Sequence, residues 1–501
     1  MERYLLTVTF RADGSSKFAP SNRWGYFPAA ALGWRMSEEA FLNDVNWLDN
    51  LKLRVSYGEV GNDGINSSLW SQNWESTSDK RYQGAVNGAF LPSYSLGADM
   101  ANKDLKWETT ITRNIGVDFG FFNSRLTGTI DAYWNTTKDL LMKTAIPGIT
   151  GFTTTYANVG QTSNKGIEIA LQGVLVKTRD WNVTAGFNIN FNRGKVDKLA
   201  DNVTGLYGTE WATSSTFPKS DYVLKEGRPV GLVRGLTADG FYTTDDFTYE
   251  NGVYTLKEGV ADVSSAVFPN YHLHNGINER PAGQLAYPGM AKFKDLNDDG
   301  IINDDDVDVI GDMTPVHTGG FNINATYKNF DLGLYFNWSY GNEIYNVNKL
   351  AALYGYKEGA VYENKLSIVK DCYKIYDVVN GELVALTTPE QLNAANANAK
   401  LPLAYSENGY VSTLGIEDGS YLRLNTLTLG YTLPKSILQK AGISNLRVYG
   451  SIYNVFTITG YSGIDAEVST STSTKTYPQL GMDWGTYPRA RSFVLGVNLS
   501  F

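Results

Sequence analysis

The sequence is poor in the residues that build catalytic and redox centres. It holds one cysteine, Cys372, among 501 residues, so no internal disulfide can form and no zinc centre can be assembled from cysteine pairs. Only three histidines occur: His272, His274 and His317. No run approaches the ~18 consecutive apolar residues a membrane helix needs. Charged residues are 19% of the chain, short of the usual quarter or so. The net charge of −9 leaves no basic stripe to neutralise phosphates, which excludes nucleic acid as a partner. G-x-S-x-G, a phosphate-cradling P-loop, H-E-x-x-H and the dinucleotide fingerprint are all absent. Carboxylate pairs that could flank a glycosidic bond occur in any acidic chain of this length, and they carry no weight. We therefore do not read the chain as an enzyme.

Glycine (50 residues) and aromatics (13%) are abundant instead. That composition suits turn-rich β structure. The C-terminal FVLGVNLSF places Phe493, Leu495, Val497, Leu499 and Phe501 two apart, with Gly496, Asn498 and Ser500 between them. The same period of two runs through Trp181–Phe191 and Leu332–Tyr340, so each segment is a strand with one apolar and one polar face. Strands are predicted near 3–12, 23–35, 50–60, 105–120, 124–140, 161–176, 181–192, 316–328, 330–344, 420–434, 444–458 and 489–501. Leu422 and Leu424 lie on even positions, whereas Leu427, Leu429, Tyr431 and Leu433 lie on odd ones; a bulge near Asn425 would reconcile them.

The connections alternate in length. Tight turns are predicted at Asn123-Ser124, Thr178-Arg179-Asp180 and Lys328-Asn329, and links with a short helix at 36–49 and 435–443. The other set is long: 61–104, 141–160, 193–315, 345–419 and 459–488. In an up-and-down sheet this gathers every long loop at one end. Outer-membrane barrels have that form, with short periplasmic turns, long extracellular loops, an apolar outside and a polar inside. The fold class is therefore all-β: part of an antiparallel transmembrane β-barrel of about twelve strands, with 193–315 and 345–419 as extracellular loops. Outer-membrane lipid is the expected neighbour of the apolar faces, with Tyr133, Trp134, Trp338 and Tyr340 in an interfacial girdle. The alternative is a soluble sandwich using those faces as its core.

Seven segments carry a family resemblance: RADGSSKFAPSNRWGYFPAAALGWRMSEEAF, LKLRVSYGEVGNDGI, LKWETTITRNIGVDFGFFNSRLTGTIDAYWNTTKDLL, NKGIEIALQG, FKDLNDDGIINDDDVDVIGDMTP, YLRLNTLTLGYTLPKSIL and LRVYGSIYNVFTITGYSGIDAE. From about Tyr4 to Phe501 the chain resembles the SusC/RagA family of TonB-dependent outer-membrane transporters, and Phe501 resembles the C-terminal signal for barrel assembly. The resemblance implies a plugged barrel of the 22-strand class. It implies import of a glycan oligomer or peptide, energised by the TonB complex and captured under a SusD-like lipoprotein. MERYLLTVTF reads as strand rather than signal peptide, and the plug, the TonB box and the first ten or so strands of the family have no counterpart here. The expectation is a fragment comprising the second half of the barrel, with self-closure of twelve strands conceivable. The other readings are a calcium-stabilised surface protein that binds glycans and a passive porin-like channel.

One local motif suggests a ligand. In DLNDDGIINDDD, Asp295, Asn297, Asp299, Gly300, Ile301 and Asp306 stand at positions 1, 3, 5, 6, 7 and 12 of a calcium loop, with Asn303 at position 9. Alternate short oxygen side chains would converge on one ion, Gly300 would allow the sharp turn, and the Ile301 carbonyl would add a backbone ligand. Calcium there would be structural; the alternative is a solvated acidic turn. His272 and His274 could share a strand face for a transition metal, but are more simply loop residues. Trp70, Trp74 and Tyr82 could stack on sugar rings or serve as packing.

Overall fold

The computed structural model describes residues 3–77, 84–91, 93–200, 203–213, 216–268, 280–353, 365–404, 409–438, 442–470 and 479–501. Twelve strands form one antiparallel sheet in strict sequence order. They are β1 (Tyr4–Gly14), β2 (Trp24–Arg35), β3 (Leu48–Asn62), β4 (Glu108–Phe121), β5 (Leu126–Lys138), β6 (Gln161–Lys177), β7 (Trp181–Lys198), β8 (His317–Tyr327), β9 (Phe330–Tyr340), β10 (Tyr421–Thr432), β11 (Asn445–Thr459) and β12 (Ser492–Ser500). Each coincides with a predicted segment. β7 runs furthest beyond expectation, so the loop after it begins at 199 rather than 193. Among the described residues β1 and β12 do not pair with each other, so the sheet is open at both edges rather than self-closed.

Asn425 is the bulge. On β10, Thr426 pairs with Tyr335 and Leu424 with Phe336, leaving Asn425 unmatched. Its side chain donates to Asn337 Oδ1 at 2.7 Å. The extra residue keeps Leu422 and Leu427 on the same face of the wall.

That face carries the apolar residues. Phe493 is 72% exposed and Leu495 88%, values that no core face would show. The polar face is concave and lined by Asn50, Asp118, Thr129, Asn188, Asn322 and Tyr335. Burying the alternation in lipid on one side and keeping water on the other satisfies both faces, as a barrel wall requires.

The links behave as their composition suggests. Phe122, Asn123 and Ser124 all adopt positive φ in the β4–β5 turn, as does Lys328 in the β8–β9 turn. The 36–49 link holds only the single 3-10 turn Met36–Glu38, and the later one the short helix Lys435–Leu438. The long links are compact. Leu236, Tyr242, Tyr254, Val267, Tyr287 and Ile302 from the β7–β8 link pack with Leu392 and Tyr410 from the β9–β10 link in one buried core. The two links are tied by Tyr254 Oη donating to the Thr387 carbonyl at 3.0 Å and Thr244 Oγ1 meeting Asn393 Oδ1 at 2.7 Å. The β11–β12 link joins through Tyr222 Oη to the Leu480 carbonyl, 2.8 Å, and through the parallel pairing of Tyr345 with Met482. Three loops thus form a single folded cap at one end of the wall.

Candidate functional site

The candidate site is the concave polar wall and the cap above it. Glycines make room for its ion pairs. Gly116 on β4 lies between Arg54 of β3 and Asp131 of β5 in one ladder row. Arg54 reaches across it to Asp131 at 3.0 Å and holds Asp118 at 2.8 Å. A Cβ on Gly116 would lie 2.3 Å from Asp131 Oδ1. Gly166 sits likewise between Tyr133 and Asn192, whose side chains bond over it at 2.8 Å. The Tyr133 ring therefore faces the concave side, not the girdle expected for it. Trp134, Trp338 and Tyr340 do lie on the apolar face; Trp338 Nε1 donates to His317 Nδ1 at 3.0 Å, and the His317 ring stacks on Tyr340.

At the cap end of β10, Arg423 is 1% exposed. It donates to Thr457 Oγ1 at 2.9 Å, to Glu467 at 3.0 Å and to Asp465. Arg489 closes the cluster on Glu467 at 3.0 Å. A charge this buried is tolerable only when fully paired, and here the pairing anchors the β11–β12 link to the wall. Deeper in the cap, burial holds the Asp221 carboxyl above its ordinary range, although it accepts the backbone N–H of Glu210, Trp211 and Ala212 at 2.8–3.1 Å. Burial would raise Glu417 too, but Ser462 and Lys349 more than offset it and bring the carboxyl below its ordinary value. The Cys372 thiol is buried and pushed up to about 11, first by burial and then by Asp371, so it is an unreactive core group.

The acidic motif folds as a chain of side-chain-capped turns. Asp295 accepts the N–H of Gly300 at 2.7 Å, Asp299 that of Ile301 at 2.9 Å, and Asn297 that of Asp299 at 3.2 Å. Gly300 has φ of 84°, the sharp turn anticipated. Asp306 is fully buried and caps its own short turn, accepting from Leu296 N at 2.7 Å and Asn303 N at 2.8 Å. Among the described residues no three His, Cys, Asp or Glu side chains converge where a metal could be held. His272, His274 and Tyr82 lie outside the described residues. Trp74 is exposed on a loop hairpin, whereas Trp70 ties its loop to the Ser16 carbonyl at 3.3 Å. Reading residues by face found the polar wall. It missed the glycine gaps and the Arg423 cluster, whose only sequence signals were glycines within strands and the acidic pair of GIDAE.

An open-ended antiparallel wall, apolar outside and polar inside, with every long link folded at one end, defines a transmembrane β-barrel of the outer-membrane type. The family model described as TonB dependent receptor-like, beta-barrel, matches residues 1–455, and the chain belongs to that family. It is an outer-membrane protein. It is 31% identical to TonB-dependent receptor P3 of Formosa agariphila, over all of this chain and 44% of that protein. It is also 31% identical to TonB-dependent receptor SusC of Bacteroides thetaiotaomicron, over all of this chain and 42% of that protein. The structure of the RagAB peptide importer in its closed-closed state superposes with a TM-score of 0.72 at 24% identity, covering the whole chain and 46% of that one. These relatives are receptors and transporters, not enzymes. The chain spans less than half the length of the curated relatives it matches.

Proposed function

We propose that this chain supplies the second half of the wall, and most of the outer cap, of a TonB-energised importer of a glycan oligomer or peptide, acting with a SusD-like lipoprotein. The observation that carries this reading is the cap. Its three links share one core and are bolted to the wall through Arg423, which suits a rigid platform for a lid better than a set of free pore loops. The concave face, lined by asparagine, threonine and ion pairs, suits hydrophilic cargo. The name of the RagAB peptide importer, which describes that protein, favours peptide among these cargo classes. The test is uptake by cells carrying the gene in its native setting, supplied with defined oligosaccharides and peptides, with and without the TonB complex, followed by co-purification of lipoproteins from the outer membrane. Uptake that persists without TonB would replace the importer with a passive channel. Absence of any co-purifying lipoprotein would remove the lid.

Calcium at Asp295, Asn297, Asp299 and the Ile301 carbonyl stands as a second proposal, supported by the turn at Gly300. Asp306 would have to leave its buried cap to close the shell, so the proposal is for weak binding. Calorimetry with calcium before and after Asp295→Asn would decide it: no heat in the native protein removes the ion.

A further inference from the structure

The apolar wall carries a pair of like charges that the fold does not explain. Lys165 on β6 and Arg193 on β7 are direct ladder partners, and both lie on the outward face with Ile167 and Phe191. Like charges directly opposite on one sheet face repel. Neither forms an ion pair among the described residues; Arg193 reaches only the carbonyls of Asn192 and Pro315, the latter at 2.7 Å. The nearest outward carboxylate on β7, Asp197, is occupied by Lys195 at 3.1 Å and by Ser163 and Gln161.

Their position is specific. Toward the short-turn end the outward residues are Ile167, Ile169 and Leu171 on β6, Phe191, Ile189 and Phe187 on β7, and Ala132 and Ile130 on β5. Toward the cap they become Ser163 and Gln161, Lys195 and Asp197, and Thr136 and Lys138. The two cations thus stand where hydrocarbon gives way to headgroups in the leaflet facing the cap. Trp134 is the ladder partner of Lys165 on the other side, and Arg113 is the next partner beyond Trp134. Trp134, Ile167 and Phe191 line a shallow depression that Lys165 and Arg193 also border.

We propose that Lys165 and Arg193, with Trp134 and Phe191, bind the phosphate-bearing headgroup of an outer-leaflet lipid. The phosphate neutralises both cations, the guanidinium offering the planar donors that suit it. The first acyl carbons lie along Trp134, Ile167 and Phe191. Arg113 is close enough in the row to engage a second phosphate. The charge of the site and its continuity with the lipid-facing wall both select a lipid as occupant.

The full-length protein containing this chain, purified from its outer membrane in a neutral detergent and delipidated, should retain monophosphoryl lipid A in native mass spectrometry. A dephosphorylated lipid with the same acyl chains should be retained far less. Lys165→Gln/Arg193→Gln should weaken retention roughly tenfold or more through loss of charge-assisted hydrogen bonds, while Lys195→Gln, whose cation is already paired, should not. In lipid-free detergent the double variant should resist heat at least as well as the parent, because a repulsion has been removed. Lys165→Met alone provides a second reading should the double variant fold poorly. Equal retention by parent and variant, or equal retention of the dephosphorylated lipid, would overturn the site. Complete displacement of the lipid by millimolar inorganic phosphate would overturn the lipid as its occupant.

Discussion

Single residues set the tolerances of the wall. Gly116 is needed because Arg54 and Asp131 occupy the space its side chain would fill, not because its backbone requires freedom. Gly116→Ala should cost about 1–3 kcal/mol by overpacking and lower the temperature at which the folded band is lost in semi-native electrophoresis. In the cap, Asp221→Asn would turn an amide N–H toward donors that now meet a carboxylate. Hydrogen–deuterium exchange at Trp211 and Ala212 should quicken by an order of magnitude or so, with the wall unaffected. Unchanged exchange would show that the three backbone donors find other partners. Neither position was legible beforehand. Alternation along β4 places Gly116 on the polar face, but only the cross-strand register reveals what it accommodates. The acidic motif teaches the reverse lesson. The spacing of Asp295 through Asp306 predicted the turn at Gly300 correctly, while the orientation of Asp306 depends on the buried cap it completes.

At the scale of elements the sequence was far more informative. A period of two sustained over ten or more residues has few explanations, so all twelve strands were readable, and the phase change in β10 located its bulge at Asn425. Deleting Asn425 should be tolerated, as should replacing it. Asn425 is the residue left unmatched against β9, so its deletion leaves Leu422, Leu424, Leu427 and Leu429 on one face in the existing register. Folded protein should still be recovered from the outer membrane; its disappearance would show that the bulge itself is needed. Asn425→Ala loses mainly the contact with Asn337 and should assemble. The cap was not legible because its core is built from residues far apart in the chain, such as Tyr254 and Tyr410, with no common period. Tyr254→Ala should cost about 3–5 kcal/mol of cap stability by analogy with other large-to-small aromatic changes. Limited proteolysis should then cut within 199–316 and 341–420 while the strands remain protected.

For the whole molecule, the architecture followed from one regularity, the alternation of short and long links, which put the variable chain at one end and the fixed wall beneath it. The open sheet has a further consequence. Among the described residues the outer edges of β1 and β12 each present unpaired N–H and C=O groups along strands of 11 and 9 residues, and each such group left bare in hydrocarbon costs several kcal/mol. In the proposed complete barrel, where further strands cover both edges, stability in the bilayer is a property of a ring, not a sum over strands. Opening the ring at any seam exposes two edges at once, so no strand can peel away cheaply and no partly unzipped wall should accumulate. Survival in the membrane is governed by the rate of a rare collective rupture, whereas the cap, bathed in water, can lose its own packing without endangering the ring below it.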